Sequence, residues 1–340
     1  MSFYDQAGMQ GEIVVSSRAR LARNFAEYSF PGHLPQHDAQ AILDKTRNAL
    51  QNYRCFLIGD MSPMRASALI ERHLASRELL ASDGPRGVLV SEDESISVMV
   101  GEEDHLRIQA FCAGFAPDAA LQRAIEVDKI LEQVSPYAFD QKLGYLTKCP
   151  TNLGTGLRVG VMVHLPLLTD KNAISDLMNN LNKLGFIIRG LYGEGTKAQG
   201  DLYQISNQIT LGISEEEIVN RLKQVVGSIL SKEEELRQVE RQRNELRLKN
   251  RCHRAIGILS TAQILPQAEA MELWSDVRLG LCCGYLTGIS TIEMNQFLFE
   301  MQPGCLASSG GRNQVYLNLD QMRAEMARKI AKKAMLSLIQ

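Results

Sequence analysis

The hydrophobic pattern of this chain changes period once, near Ser214, and that switch limits the possible folds more than any other feature. Before it lie short runs at residues 12–16, 55–58, 87–90, 96–100, 106–112, 157–164, 186–192 and 202–211. Several of them place apolar residues on alternate positions. Half-buried strands need that period, because successive side chains leave opposite faces. Helical stretches at 38–51 and 118–134 fall between the runs. The second has Ala120, Leu121, Ala124, Ile125, Val127 and Leu131 as its apolar stripe. The strands lack a regular strand–helix–strand rhythm, so a largely antiparallel sheet flanked by helices is expected. After the switch, Ser214-Glu215-Glu216-Glu217 reads as a helix start with a capping box. Ile218, Leu222, Val225, Val226, Ile229 and Leu230 then recur at helical spacing. The helix is expected to run on through 232–250, where its charges read as a solvated face or arm. More helices are expected at 254–262, 266–285, 291–301 and 319–338. The fold class is α+β, with a mixed domain over residues 1–240 and a small all-helical domain over 241–340.

Composition excludes several classes. At 340 residues and 45% hydrophobic content the chain suits about two domains with ample core. A net charge of -2 gives no global argument for nucleic acid or an anionic membrane. No apolar run approaches the roughly 20 residues that span a bilayer. The start, Met1-Ser2-Phe3-Tyr4-Asp5-Gln6, lacks a signal-peptide pattern, and a cytoplasmic location is expected. Seven cysteines with no CxxC pair argue against a disulfide framework and a structural zinc site. Cys252-His253 reads as incidental, and Cys282-Cys283 as core in the apolar run 279–286.

The strongest candidate for chemistry is residues 144–158, which carry Cys149, Pro150, Asn152, Gly154, Gly156 and Arg158. Pro150 and Asn152 favour a turn, and the glycines allow close backbone approach. The apolar run 159–163 reads as a buried strand anchoring this loop. A thiol held beside an arginine can be kept as thiolate. An arbitrary cysteine is more often a buried structural thiol; the loop context reverses that order.

This stretch resembles the cysteine loop of the guanidino (phosphagen) kinases, most closely their bacterial branch, the protein arginine kinases of the McsB type. Further segments agree in order: Ser16-Ser17-Arg18-Ala19-Arg20-Leu21-Ala22-Arg23-Asn24, Glu71-Arg72-His73-Leu74, Glu102-Glu103-Asp104-His105-Leu106-Arg107-Ile108, Arg189-Gly190-Leu191-Tyr192-Gly193-Glu194-Gly195 and Gln204-Ile205-Ser206-Asn207-Gln208. The resemblance spans nearly the whole chain. It implies a guanidino-kinase catalytic domain and phosphoryl transfer from ATP with Mg²⁺. No G-x-x-x-x-G-K-[ST] loop and no H-R-D with D-F-G is present. The alternative is a basket of arginines, whose planar forks match phosphate oxygens in pairs. Any one arginine alone is as compatible with a surface ion pair. The resemblance implies nucleotide contacts from Ser16, Ser17, Arg18, Arg20, His73, Arg107, Arg158, Val159, Gly160, Val161, Met162, Arg189, Gly190, Leu191, Tyr192 and Gly193. No protein ligand is assigned to the magnesium.

On the acceptor side it implies Glu103, Cys149 and Glu194 as the catalytic residues. A guanidinium with a pKa above about 12 is a very poor nucleophile, and carboxylates can both hold it and take its proton. Glu102 and Asp104 read instead as parts of a solvated acidic turn. Two positions depart from the family pattern. Lys148 stands where relatives have a small residue, and Leu319 stands where a leading arginine opens a phosphoarginine-sensing motif. Asp320 and Arg323 then read as half of that site or, by slight preference, as an i,i+3 surface pair. The expected activity is phosphorylation of arginine side chains in proteins, marking them for Clp-type degradation in a stress response. Implied partners are a zinc-containing McsA-type activator, a ClpC-type unfoldase, a CtsR-type repressor and a second copy of the chain. A kinase of free arginine is the first alternative; the fifteen residues before Ser16 are too few for the helical domain such enzymes carry there. A non-catalytic adaptor is the second; retention of every proposed catalytic position argues against it.

Overall fold

A computed structural model describes residues 2–190, 198–309 and 318–338 of the chain. Ten strands are described: β1 (Val14–Arg23), β2 (Arg54–Leu57), β3 (Gly87–Val90), β4 (Ile96–Val100), β5 (Leu106–Ala113), β6 (Phe139–Asp140), β7 (Gly144–Tyr145), β8 (Leu157–His164), β9 (Phe186–Gly190) and β10 (Leu202–Asn207). The helices are α1 (Gln36–Ala49), α2 (Pro63–Glu71), α3 (Arg77–Ala81), α4 (Pro117–Glu132), α5 (Pro166–Asp170), α6 (Ile174–Lys183), α7 (Glu215–Arg243), α8 (Glu245–Thr261), α9 (Gln267–Cys282), α10 (Thr291–Glu300), α11 (Pro303–Ser309) and α12 (Leu319–Leu338). Eight strands form one sheet in the order β2-β3-β4-β5-β1-β8-β10-β9, with every neighbouring pair antiparallel. The expected α+β architecture is therefore present.

The sheet buries both faces, but differently. One face carries Leu21, Ile108, Val159, Val161 and Ile205 and packs on Ala124 of α4 and Leu222 and Val226 of α7. The other carries Val15, Met99, Phe111 and Met162, which join Trp274 of α9 and Phe297 of α10 in a second core. Trp274 is fully buried, and its indole N–H donates to the Met294 carbonyl at 2.7 Å. The helices after α7 thus cover part of the second face and leave its centre open.

The first strand departs from its expected span. Residues 12–16 were expected, whereas β1 runs over Val14–Arg23. Its C-terminal half alternates Arg18 and Arg20 with Ala19 and Leu21, so apolar content hides a sound period of two. The expected helix through 232–250 also differs. It breaks at Asn244 (φ -133°, ψ 31°), between α7 and α8. The charge run is not wholly solvated either, since Glu233 and Arg237 are buried. Glu233 accepts the N–H groups of Leu167 and Leu168 at 3.3 and 3.0 Å, capping α5, and Arg237 Nε donates to it at 3.0 Å.

At the end of β1, Arg23 Nη2 pairs with Asp128 Oδ2 on α4 at 2.9 Å, and its guanidinium lies 3.5 Å from the Tyr145 ring centroid. Both residues are buried, so removing one partner strands the other charge. Arg23→Met is expected to lower unfolding free energy by about 3–5 kcal/mol. Urea titration checks this. A midpoint equal to the wild type's would show that the pair contributes no net stability.

Candidate active site

The register of five neighbouring strands, β5, β1, β8, β10 and β9, builds the site. On β1, Arg18 lies opposite Phe111 of β5 and Gly160 of β8, while Arg20 lies opposite Gln109 and Arg158. Arg107 of β5 lies opposite Ala22 and Met99. Gln204 of β10 lies opposite Met162 on one side and Arg189 of β9 on the other. Directly opposed residues share a face, so Arg18, Arg20, Arg107, Arg158 and Arg189 all project from the same side of the sheet. That side is the one the C-terminal helices leave partly open. Gly160 keeps the floor low, because a Cβ there would lie 2.4 Å from the Ile205 carbonyl oxygen.

Three adjoining cavities run along this face as one cleft. The first is lined by Ser16, Arg18, His73, Phe111, Gly160, Val161, Met162 and Gln204. The second shares Arg18 and His73 and adds Arg20, Arg107 and Gln109. The third shares Arg20 and Arg107 and adds Glu103, Arg158, Thr151 and Asn152.

The electrostatics of the cleft are unbalanced. Burial, then the neighbouring charges of Arg107 and Arg158, lowers the Arg18 pKa to about 10. Burial and Arg18, Arg107 and Arg158 push Arg20 further down, against a weaker pull from Glu102. Arg158 is lowered by burial, Arg189 and Arg107, opposed by Cys149 and Glu103. His73 sits at the end of α2 with φ +61°. Its pKa falls to about 3, by burial and then by Arg18 and Arg20, so it is neutral at pH 7. Crowded guanidiniums with too few anions fit a polyanion such as the phosphates of ATP.

The anions present cluster beside Arg107, at the end of the cleft that Glu103 lines. Arg107 Nη1 pairs with Glu102 Oε1 at 2.5 Å, and Nη2 with Glu103 Oε2 at 3.2 Å. Glu102 also accepts from the Ser76 hydroxyl at the N-terminus of α3. The solvated acidic turn expected for Glu102 and Asp104 is therefore corrected. Both are buried, Glu102 by Arg107 and Ser76, and Asp104 by hydrogen bonds to Asn24 and the Lys148 backbone. Apart from Arg107, their counterparts Ser76, Asn24 and Lys148 lie distant in sequence, which is why the acidic run alone looked like a surface turn.

Cys149 is half-buried at the start of a short turn over Pro150–Asn152. Its carbonyl accepts from the Thr147 hydroxyl at 2.8 Å and the Asn152 N–H at 3.0 Å, and its Sγ lies 3.0 Å from Thr151 Oγ1. The Thr210 hydroxyl ties the turn to the segment after β10 through the Thr151 and Leu153 carbonyls, at 3.0 and 2.6 Å. Gly154 has φ +96°, and a Cβ there would meet the Thr210 carbonyl oxygen at 2.2 Å, so only glycine lets the two segments touch. Lys148 is exposed, and a Cβ on Gly32 would stand 3.8 Å from its Nζ.

Other expected residues fall elsewhere. Ser17 and Val159 turn to the opposite face of the sheet. The Ser17 hydroxyl donates to the Gly114 carbonyl at 2.8 Å and accepts the Ala116 N–H at 2.9 Å, so its side chain is structural. Val161 borders the cleft while its side chain packs in the opposite core. Gly190 ends β9; Leu191, Tyr192, Gly193 and Glu194 lie outside the described residues.

The profile of the ATP:guanido phosphotransferase C-terminal catalytic domain matches residues 36–236, and that of the protein-arginine kinase McsB C-terminal domain matches residues 245–337. The chain is 41% identical over 330 residues to the protein-arginine kinase of Symbiobacterium thermophilum, covering 94% of each chain. It is 41% identical over 335 residues to that of Pelotomaculum thermopropionicum, covering 96% of this chain and 94% of the relative. The chain belongs to the protein-arginine kinase family. Among solved structures it is similar to a lombricine kinase at 26% identity and TM-score 0.60, covering 69% of each chain. It shares its fold with a duplicated taurocyamine kinase from Schistosoma mansoni bound to transition-state analogue components, at 24% identity and TM-score 0.61, covering 77% of this chain and 40% of that one.

In this member of the protein-arginine kinase family, Arg323 pairs with Asp320 at 2.5 Å. The i,i+3 pair is formed, but it is not a surface pair, because Arg323 is buried. Its guanidinium also donates to the Met301 and Leu265 carbonyls at 2.9 and 2.8 Å, fastening α12 to the helices before it. Glu102, Asn24, Asp104, Gln109, Phe111, Thr151 and Gln204 are residues of the site region that sequence reasoning did not assign. The one available signal was Arg107 following the acidic run at close range.

Proposed function

We propose that this protein transfers the γ-phosphoryl group of ATP to the guanidine of arginine side chains in proteins. The observation that carries the reading is the strand register, which lines five arginines along one sheet face leading to Glu103 and the Cys149 turn. The near full-length relatives named as protein-arginine kinases support the protein acceptor. In this reading Arg18, Arg20, Arg107, Arg158 and Arg189 hold the phosphates, and neutral His73 and Phe111 flank the far end of the cleft, where the base or ribose would lie. ATP would supply the phosphoryl group, and Mg²⁺ bound with it would partly neutralise the phosphate charge. Glu103, Glu194 and Cys149 orient the planar guanidinium, and a carboxylate takes its proton as the phosphoryl group arrives in line. Ser16, Gly160 and Met162 line the nucleotide end. The division into a catalytic unit over residues 1–240 and a helical unit over 241–340 belongs to the same proposal. So does the cellular role: phosphoarginine marks proteins for a Clp-type protease in the cytoplasm, with McsA-, ClpC- and CtsR-type partners and self-association.

Incubation with labelled ATP and either casein or free arginine tests the acceptor class. Acid-labile label on casein arginines and little turnover of free arginine are expected. Efficient labelling of free arginine with none on protein would move the assignment to a small-guanidine kinase.

A further inference from the structure

The segments that carry Glu103 and Cys149 are tied to each other by one buried side chain outside the cleft. Asp104 directly follows Glu103 in the turn between β4 and β5, and only 2% of it is exposed. Its Oδ1 accepts the backbone N–H of Lys148 at 2.8 Å and Asn24 Nδ2 at 2.7 Å. Lys148 directly precedes Cys149. Asn24 directly follows β1; its Nδ2 also donates to the Leu146 carbonyl at 3.1 Å, and its Oδ1 accepts the His105 N–H at 2.8 Å. Asp104 and Asn24 therefore clamp three segments together: the end of the arginine-bearing strand, the turn bearing Glu103, and the loop bearing Cys149.

Neither side chain lines the cleft. The second carboxylate oxygen, Asp104 Oδ2, is buried and has no hydrogen-bond partner among the described residues. Burial accordingly pushes the Asp104 carboxyl pKa up, against the Lys148 and Asn24 hydrogen bonds. An unpartnered buried oxygen costs stability, so a carboxyl here is a poor choice if holding the fold together is its whole task. Its position supplies a different task, because two of the three proposed acceptor-side groups are adjacent in sequence to the two ends of the Asp104–Lys148 bond.

We propose that Asp104 is a positioning residue for phosphoryl transfer, setting the separation of Glu103 and Cys149 and hence the pose of the acceptor guanidine. The proposal rests on the reading of Glu103 and Cys149 as acceptor-side groups. Asp104 touches no substrate; it acts through the Lys148 N–H and Asn24. A side chain that only stabilised the fold would, when lost, weaken nucleotide binding and turnover together. A positioning side chain on the acceptor side leaves the arginine basket intact and loses rate. Asparagine keeps an acceptor oxygen for both N–H donors, whereas alanine keeps none.

The test compares wild type, Asp104→Ala and Asp104→Asn for casein phosphorylation and for calorimetric ATP binding. Asp104→Ala is expected to lower kcat by about 10²-fold with the ATP Kd within about twofold, since small misplacements of reacting groups cost that much. Asp104→Asn is expected to recover about tenfold of the loss. The rate at which iodoacetamide alkylates Cys149, read by mass spectrometry, is expected to change in Asp104→Ala and return toward the wild-type value in Asp104→Asn. Wild-type kcat in Asp104→Ala, parallel loss of ATP affinity and kcat, or no rescue by asparagine each overturns the proposal. Should Asp104→Ala not fold, Asn24→Ala takes its place, with kcat down about tenfold and ATP affinity kept; an unchanged kcat there overturns it equally. A wild-type protein that labels no arginine overturns both this proposal and the functional reading. An active wild type with indifferent variants overturns this one alone.

Discussion

Arg158→Ala and Arg189→Ala are expected to weaken ATP binding and to slow phosphoryl transfer by about 10³-fold or more. Each removes a charge-assisted contact worth roughly 1.5–3 kcal/mol in binding, and transition-state charge on the transferring group raises the demand on it further. Arg158 lies opposite Arg20 on the open face, and its pKa is held down by burial, Arg189 and Arg107. Glu103→Gln and Glu194→Gln are expected to behave otherwise. Glutamine keeps the shape but loses the charge and the capacity to take a proton, so phosphorylation collapses while ATP affinity holds. Glu103 also pairs with Arg107, but Glu102 remains as that arginine's buried partner, so the nucleotide side keeps its frame. Calorimetric ATP titration alongside the casein assay reads both quantities. Glutamine variants that lose ATP binding as badly as the alanine variants would show that the division of the site is wrong.

Cys149→Ala is expected to reduce phosphoryl transfer to a small residue of wild-type activity, with ATP binding largely intact. The thiol stands on the turn whose Thr151 and Asn152 line the cavity with Glu103, the acceptor end in the proposed reading, and it is bonded to Thr151 rather than to an arginine. The turn itself is held by backbone and hydroxyl bonds that alanine leaves in place. Alkylation is expected to inactivate the wild type, more slowly when ATP and acceptor are both present. Wild-type turnover in the alanine variant would reassign Cys149 as a structural thiol.

How far the sequence could be read depended on whether the relevant period was local. Most of the sheet after β1 was legible because Val88, Val98, Ile108 and Val161 sit in short runs bounded by turn residues, although β10 stops at Asn207 where a run to 211 was expected. The helices after Ser214 were legible for the same reason at a period of 3.6. β1 was not legible over its full length. Arg18 and Arg20 alternate with Ala19 and Leu21, but the polar face lines the cleft, so the segment lacks the apolar weight that marked the other strands. The individual arginines could be nominated from their motifs, but their common face could not, because it depends on the register of β1 against β5 and β8. Glu102, Asp104 and Glu233 were misread for one shared reason. A charged residue is buried or solvated largely according to partners far along the chain, and Ser76, Asn24, Lys148, Leu167 and Leu168 are invisible to a local window. Ser17 shows the converse error, since a motif names neighbours on both faces of a strand although only alternate ones reach a ligand.

The crowding of guanidiniums on the open face also bears on how this protein can change over time. Like charges held together in a half-buried row oppose folding in every molecule that has no nucleotide bound. Substitutions that relieve the crowding, at Arg18, Arg20 or Arg158, are thus expected to raise thermal tolerance and, on the proposed reading, to cost activity. A screen that rewards stability alone will gather its winners from the floor of the cleft. Robust variants that keep function must instead be sought on the opposite face, where Ala124 and Val226 meet the sheet and the buried charge of Arg23 is already matched by Asp128.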